Sequence, residues 1–176
     1  MAIRTILTQG DPALNKKCHP ITKFDQKLSD LLDDLWETLA QANGMGLAAP
    51  QVGILRRAVI VVPDPEKDDM VELVNPEILA QEGEEDGLEG CLSIPGMWGY
   101  VKRPTWVKVR AQDRDGGWFE VEGEGLAARC YCHELEHLDG HMYDEHTDRL
   151  YTAEEVDAMM SEEDQNQNRR RGRRRR

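Results

Sequence analysis

The chain has 176 residues and a formal net charge of −12, and none of its apolar runs approaches the ~20 residues that a membrane span requires. That length suits one domain with its own core, and the start, Met-Ala-Ile-Arg-Thr, lacks the basic flank and apolar stretch of a secretory signal, so a cytoplasmic protein is expected. In a reducing compartment the four cysteines, at 18, 91, 130 and 132, suit metal binding or catalysis better than bridges.

The charge is unevenly spread. Seven of the 22 basic residues are the arginines at 169–171 and 173–176, which leaves residues 1–168 with 15 basic against 34 acidic side chains, or −19. Such a body repels DNA and RNA, whereas the arginine-rich end can neutralise several phosphates.

Residues 1–22 carry short apolar pieces, Ile3, Ile6, Leu7 and Leu14, broken at Gly10-Asp11-Pro12 and His19-Pro20, and read as an irregular arm wrapped on the domain. From Asp25, a candidate cap, Leu28, Leu31, Leu32, Leu35, Trp36 and Leu39 follow helical spacing until Asn43-Gly44 stops them. In the small-residue stretch Gly44–Gly53 the backbone can run close to another group, and Gln51 is its one side chain with both a donor and an acceptor. Tight packing and a substrate-facing loop are both open there. Ala58–Val62 and Val71–Val74 are β-branched runs that predict two strands, and Glu82–Asp86 reads as a solvated charged loop.

In Glu89-Gly90-Cys91-Leu92-Ser93-Ile94-Pro95 the cysteine is either a buried thiol or, as thiolate, a strong ligand for zinc or iron. Val107, Val109 and Ala111 alternate with Trp106, Lys108 and Arg110, and Trp118–Glu122 alternates too, which predicts a hairpin across Asp113–Gly117. Cys130–Gly140 then contains His133-Glu134-Leu135-Glu136-His137. On a helix the two histidines share a face and present two imidazole nitrogens to one ion, with Glu134 beside it. Leu126, Cys130, His133 and His137 form one inward stripe, and Gly140 suits the end of the helix. Two histidines need at least one further ligand and an open position to do chemistry. Thr152-Ala-Glu-Glu155 matches a capping box for a short amphipathic helix over 151–161, whose apolar residues are Val156, Met159 and Met160, the methionines covering the core. Residues 162–176 lack apolar periodicity and are expected to form a disordered, Arg-rich tail.

Gly44–Gln51, Glu89–Ser93 and His133–His137 match in chain order the G-x-G-L-A-A-x-Q loop, the E-G-C-L-S loop and the H-E-x-x-H helix of the peptide deformylases, which the sequence resembles over roughly residues 3–150. The resemblance implies an α+β fold, with a single catalytic domain over 1–150 whose metal-bearing helix packs among small antiparallel β-sheets. It implies Cys91, His133 and His137 as metal ligands, with water as the fourth ligand and nucleophile. It gives Glu134 the role of general base and acid, Gln51 and the Leu92 backbone N–H that of holding the formyl oxygen, and Gly46 a substrate contact. The implied metal is Fe²⁺, with Zn²⁺ or another divalent ion as the alternative. The implied substrate is the N-formyl-methionyl end of nascent polypeptides, handled by a monomer. Met45, Leu88, Leu126 and Cys130 are candidate walls for the methionine side chain, and the family pattern suggests a buried Glu89–Arg103 pair behind Cys91. Cys132, Glu136 and Arg129 depart from the Gln, Asp and apolar residue common in the family at those positions.

Two other readings compete. A zincin-type peptidase explains the His-Glu-x-x-His helix but gives the other two loops no role. A structural zinc module of Cys130, Cys132, His133 and His137 is geometrically poor, because adjacent positions on one helix point about 100° apart. For Arg169–Arg176 the readings are a solvated end, a contact with ribosomal RNA near emerging chains, and folding back on the acidic body.

Overall fold

The computed structural model describes residues 2–67 and 69–173, with side chains as far as Asp164 apart from residue 68. In chain order the strands are β1 (Gly46–Ala48), β2 (Ala58–Val61), β3 (Val71–Glu82), β4 (Glu85–Cys91), β5 (Ile94–Arg103), β6 (Trp106–Gln112), β7 (Trp118–Glu124) and β8 (Tyr151–Thr152). The helices are α1 (Gln26–Ala42), α2 (Leu126–Leu138) and α3 (Ala153–Arg173). This is the expected α+β arrangement, with an antiparallel sheet ordered β1-β2-β3-β6-β7 and a smaller one ordered β4-β5-β8.

Helix α1 begins where the Asp25 carboxylate accepts the Leu28 N–H, and ends where Asn43 turns into the left-handed region at φ +53°. Its leucines at 28, 31, 32, 35 and 39 pack with Leu47, Ala58 and Ile60 on one side of the larger sheet. Helix α2 covers the other side, placing Tyr131, Leu135 and Leu138 with Val59, Val61, Val107 and Val109. Strand β2 is thus covered on both faces, which is why Ala58–Val61 is apolar throughout instead of alternating. A third cluster, Leu14, Ile94, Val101, Met142 and Tyr143, joins the arm and the smaller sheet.

The arm is irregular, as expected, and it is firmly tied. The Leu7 N–H donates to the Gln51 carbonyl at 2.7 Å, the Gln9 N–H to the Ser93 carbonyl at 2.8 Å, and the Cys18 N–H to the Leu138 carbonyl at 2.8 Å. The Ala2 N–H reaches the Asp34 carboxylate on α1, which Arg4 also clasps.

Four expectations are corrected. The strand predicted to stop at Val74 runs on to Glu82, because Asn75 (φ +49°) opens a bulge and bonds both the Ile21 backbone and Gln112, after which pairing with β6 resumes at Glu77. Glu82–Asp86 is not a loop: only Gly83 and Glu84 separate β3 from β4, and the long β4–β5 hairpin had no alternating signal to announce it. Leu126 and Met160 are not core residues, at 54% and 56% exposure, Leu126 standing at the mouth of a cavity, and among the described residues of α3 it is Val156 that is buried. Finally, α3 does not end at Ser161 but continues to Arg173. From Glu162 to Arg171 there is no proline or glycine, and acidic side chains early with arginines late complement the helix dipole. Residues 174–176, and the side chains of all the tail arginines, lie outside the described residues.

Candidate metal centre and active site

Cys91 closes β4, while His133 and His137 sit one turn apart on α2. One ligand atom from each lies within 4.8 Å of the other two, and Cys91 Sγ is 3.4 Å from His137 Nε2. A tetrahedral ion with bonds of about 2.3 Å to sulfur and 2.0 Å to nitrogen sets such atoms roughly 3.5 Å apart, so the donor set fits one ion. Among the described residues this is the group that could hold a metal. Cys130 and Cys132 are not in it: Cys130 lines the cavity described below, and Cys132 packs into the core behind α2. The structural zinc module is therefore not formed.

Behind these three residues stands Glu89, 5% exposed. Its Oε1 accepts from His133 Nδ1 at 2.8 Å and Arg103 Nη2 at 3.0 Å, and its Oε2 accepts from Arg103 Nε at 2.9 Å. Burial raises the Glu89 carboxyl, but the bonds from His133 and Arg103 outweigh it and bring the pKa down to about 2. An ionised carboxylate only accepts, so Nδ1 carries the hydrogen and Nε2 is the His133 atom left for an ion. Burial also opposes a charged His133 ring, yet its bonds to Cys91 and Glu89 push its pKa up to about 10. His137 is held below the ordinary range by burial and by the charge of His133 and Arg103.

Glu134 is buried, and its Oε2 has no hydrogen-bond partner among the described residues. Burial pushes its carboxyl up to about 7, with His133 opposing and Glu89 adding to the rise. Gln51, 1% exposed, accepts the Ala48 N–H on Oε1 at 2.9 Å, which aims Nε2 at Ser93 Oγ (3.1 Å) and Cys91 Sγ (3.5 Å). The cavity that joins these groups holds about 490 Å³, and Gly46, Gln51, Cys91, Leu92, His133 and Glu134 line it. Its remaining wall includes the expected apolar residues Met45, Leu88, Leu126 and Cys130.

The family model for polypeptide deformylases matches residues 3–153. The chain belongs to the polypeptide deformylase family. Peptide deformylase from Agathobacter rectalis is 51% identical over 143 residues, covering 81% of this chain and 89% of that one. Peptide deformylase from Caldicellulosiruptor bescii is 49% identical over 164 residues, covering 93% and 97%. A crystal structure of a peptide deformylase from Legionella pneumophila superposes with a TM-score of 0.80 at 37% identity, covering 96% of each chain.

Every site residue anticipated from deformylase resemblance lies at this one cavity or, for His137, directly behind it, in contact with Cys91. The Glu89–Arg103 pair is also present. Sequence reasoning missed Ser93, whose hydroxyl fixes the Gln51 amide, and the only signal was a polar residue in the apolar run Leu92–Ile94. It also missed Tyr143, whose ring stacks on His133 at 5.9 Å between centroids, and for this the sequence carried no signal. Of the departures from the deformylase pattern, Glu136 accepts from Arg103 at 2.7 Å and meets His146 at 3.1 Å, so the longer acid extends the Glu89–Arg103 pair.

Proposed function

We propose that Cys91, His133 and His137 hold the ion in this metal-dependent hydrolase, which removes the formyl group from the N-terminal formyl-methionine of nascent polypeptides, and that Glu134 moves the proton. The observation that carries the role of Glu134 is its burial beside Cys91, His133 and His137, with Oε2 unpartnered among the described residues. When bound, the ion supplies Lewis acidity that brings the pKa of a water towards ~7 from ~16. A carboxyl poised near 7 takes the proton from the attacking water and returns it to the leaving amine. Gln51 Nε2 and the Leu92 N–H serve as donors to the formyl oxygen as it gains charge, and Gly46 lets the substrate backbone come close. The methionine side chain takes the apolar wall of Met45, Leu88, Leu126 and Cys130.

The resident metal in this reading is Fe²⁺, with Zn²⁺ or another divalent ion able to replace it, since a thiolate with two imidazoles suits either. The enzyme works as a monomer in the cytoplasm, where nascent chains emerge. No helix among the described residues is long and apolar enough to cross a membrane. Arg169–Arg176 contacts ribosomal RNA, because it is the one strongly basic stretch on an otherwise acidic chain.

The test of the site is a pair of variants. Cys91→Ala is expected to lose its metal and its hydrolysis of formyl-Met-Ala together. Glu134→Gln is expected to keep its metal and lose roughly 100-fold or more in rate. A Cys91→Ala protein with full metal content rejects the assignment. For the tail, full-length protein is expected to cosediment with ribosomes at low salt more than protein truncated at Arg169, and equal binding rejects the contact.

A further inference from the structure

Arg129 stands on α2 one turn before His133, where the sequence resemblance leads one to expect an apolar pocket wall. It lines the cavity, and its donors are taken up by groups of the protein. Nη1 donates to Glu89 Oε2 at 2.9 Å and to the carbonyls of Val101 (2.7 Å) and Gly87 (3.3 Å), and Nη2 to the Glu85 carbonyl at 2.9 Å. The guanidinium lies flat against β4 only because residue 87 is glycine: a Cβ there would stand 2.5 Å from Nη2 and 2.6 Å from Cζ.

With Arg129 counted, each oxygen of Glu89 takes two bonds: Oε2 from Arg103 and Arg129, and Oε1 from Arg103 and His133. The carboxylate cannot rotate without breaking two of them, and Arg129 ties that restraint to β4 and β5 as well. We infer that Arg129 is a positioning residue for the metal centre: it locks Glu89 from the cavity side, Glu89 fixes the His133 ring, and the ring's orientation sets how firmly the ion is held. This rests on the ligand assignment proposed above.

Two variants separate this role from a pocket role and from plain stability. Arg129→Met keeps an unbranched stem at the cavity and removes the guanidinium. Gly87→Ala keeps the guanidinium but displaces it, and residue 87 has no positive φ that would strain alanine. Wild type and both variants are loaded with Co²⁺ and mixed with excess chelator. Release is followed by loss of the thiolate-to-cobalt absorption, alongside KM and kcat for formyl-Met-Ala and the melting temperature.

Arg129→Met is expected to release Co²⁺ on the order of 10-fold faster than wild type, with KM unchanged. Gly87→Ala should shift release in the same direction by less, and it carries the test if Arg129→Met does not fold. Wild-type release rates, whether KM rises or only the melting temperature falls, overturn the inference. A wild-type protein with no thiolate absorption overturns the ligand assignment, and this inference with it.

Discussion

Gly46 packs directly under Glu134: a Cβ at residue 46 would lie 2.5 Å from Oε1 and 2.7 Å from Cδ of that carboxylate. The glycine is therefore required by the carboxylate quite apart from any contact with substrate. Gly46→Ala is expected to retain its metal and melt near the wild-type temperature, yet to lose roughly 100-fold in kcat, the usual effect of moving a reacting group by about 1 Å. Metal analysis with steady-state kinetics checks this, and wild-type kcat in a folded, loaded variant counts against it.

Ser93 aims the Gln51 amide from a position with no solvent exposure. Ser93→Ala removes the acceptor for one Nε2 hydrogen, so the amide is free to twist away from the cavity. The variant should lose kcat with little change in metal content. Gln51→Leu sets the ceiling, since loss of an oxyanion donor typically costs on the order of 100-fold. A Ser93→Ala enzyme as fast as wild type shows that Ala48 alone fixes the amide.

Arg103 bridges Glu89 and Glu136 at 5% exposure. Removing one partner of a buried ion pair costs about 3–5 kcal/mol, and in a protein of this size 1 kcal/mol moves the melting temperature by about 2–4 °C. Arg103→Met is thus expected to melt roughly 6–20 °C lower, and differential scanning calorimetry reads it directly.

Asp34 supplies a pH-dependent term. Burial would raise its carboxyl, but bonds from the Ala2 N–H and Arg4 outweigh this and hold it below the usual range. A depressed folded pKa contributes stability above the unfolded value of ~3.9, and that stability is lost as pH falls through the folded value. The difference in stability between wild type and Asp34→Asn is expected to be full above pH ~4 and to close below it. Denaturant titrations at several pH values show this, and a constant difference down to pH ~2 refutes it.

Local pattern carried much of this fold. The leucine stripe of α1, the apolar run of β2 and the alternation of β6 each reflect burial along a single element, and burial along one element leaves a period in sequence. The β4–β5 hairpin left none, because Glu85–Arg103 mixes glycines and charges and its order comes from pairing across the hairpin. The site divides in the same way. His133 and His137 are visible as a pair because helix geometry joins them, whereas Cys91 is 46 positions from His137 and needed the family pattern to connect it. Arg129 looked like a charge in an apolar place until Glu89, 40 positions away, was seen opposite it.

Part of the arm that opens the chain finds its partners very late. Gln9 meets Asp144, 135 positions downstream, and the Cys18 N–H waits for the Leu138 carbonyl. During vectorial synthesis Ala2 and Arg4 can meet Asp34 once α1 is out, whereas Gln9 and Cys18 cannot complete their contacts until nearly the whole domain has emerged, and both histidines arrive only shortly before that moment. On the ligand assignment proposed above, capture of the ion therefore falls late in synthesis, close to the moment when the Gln9–Cys18 part of the arm docks.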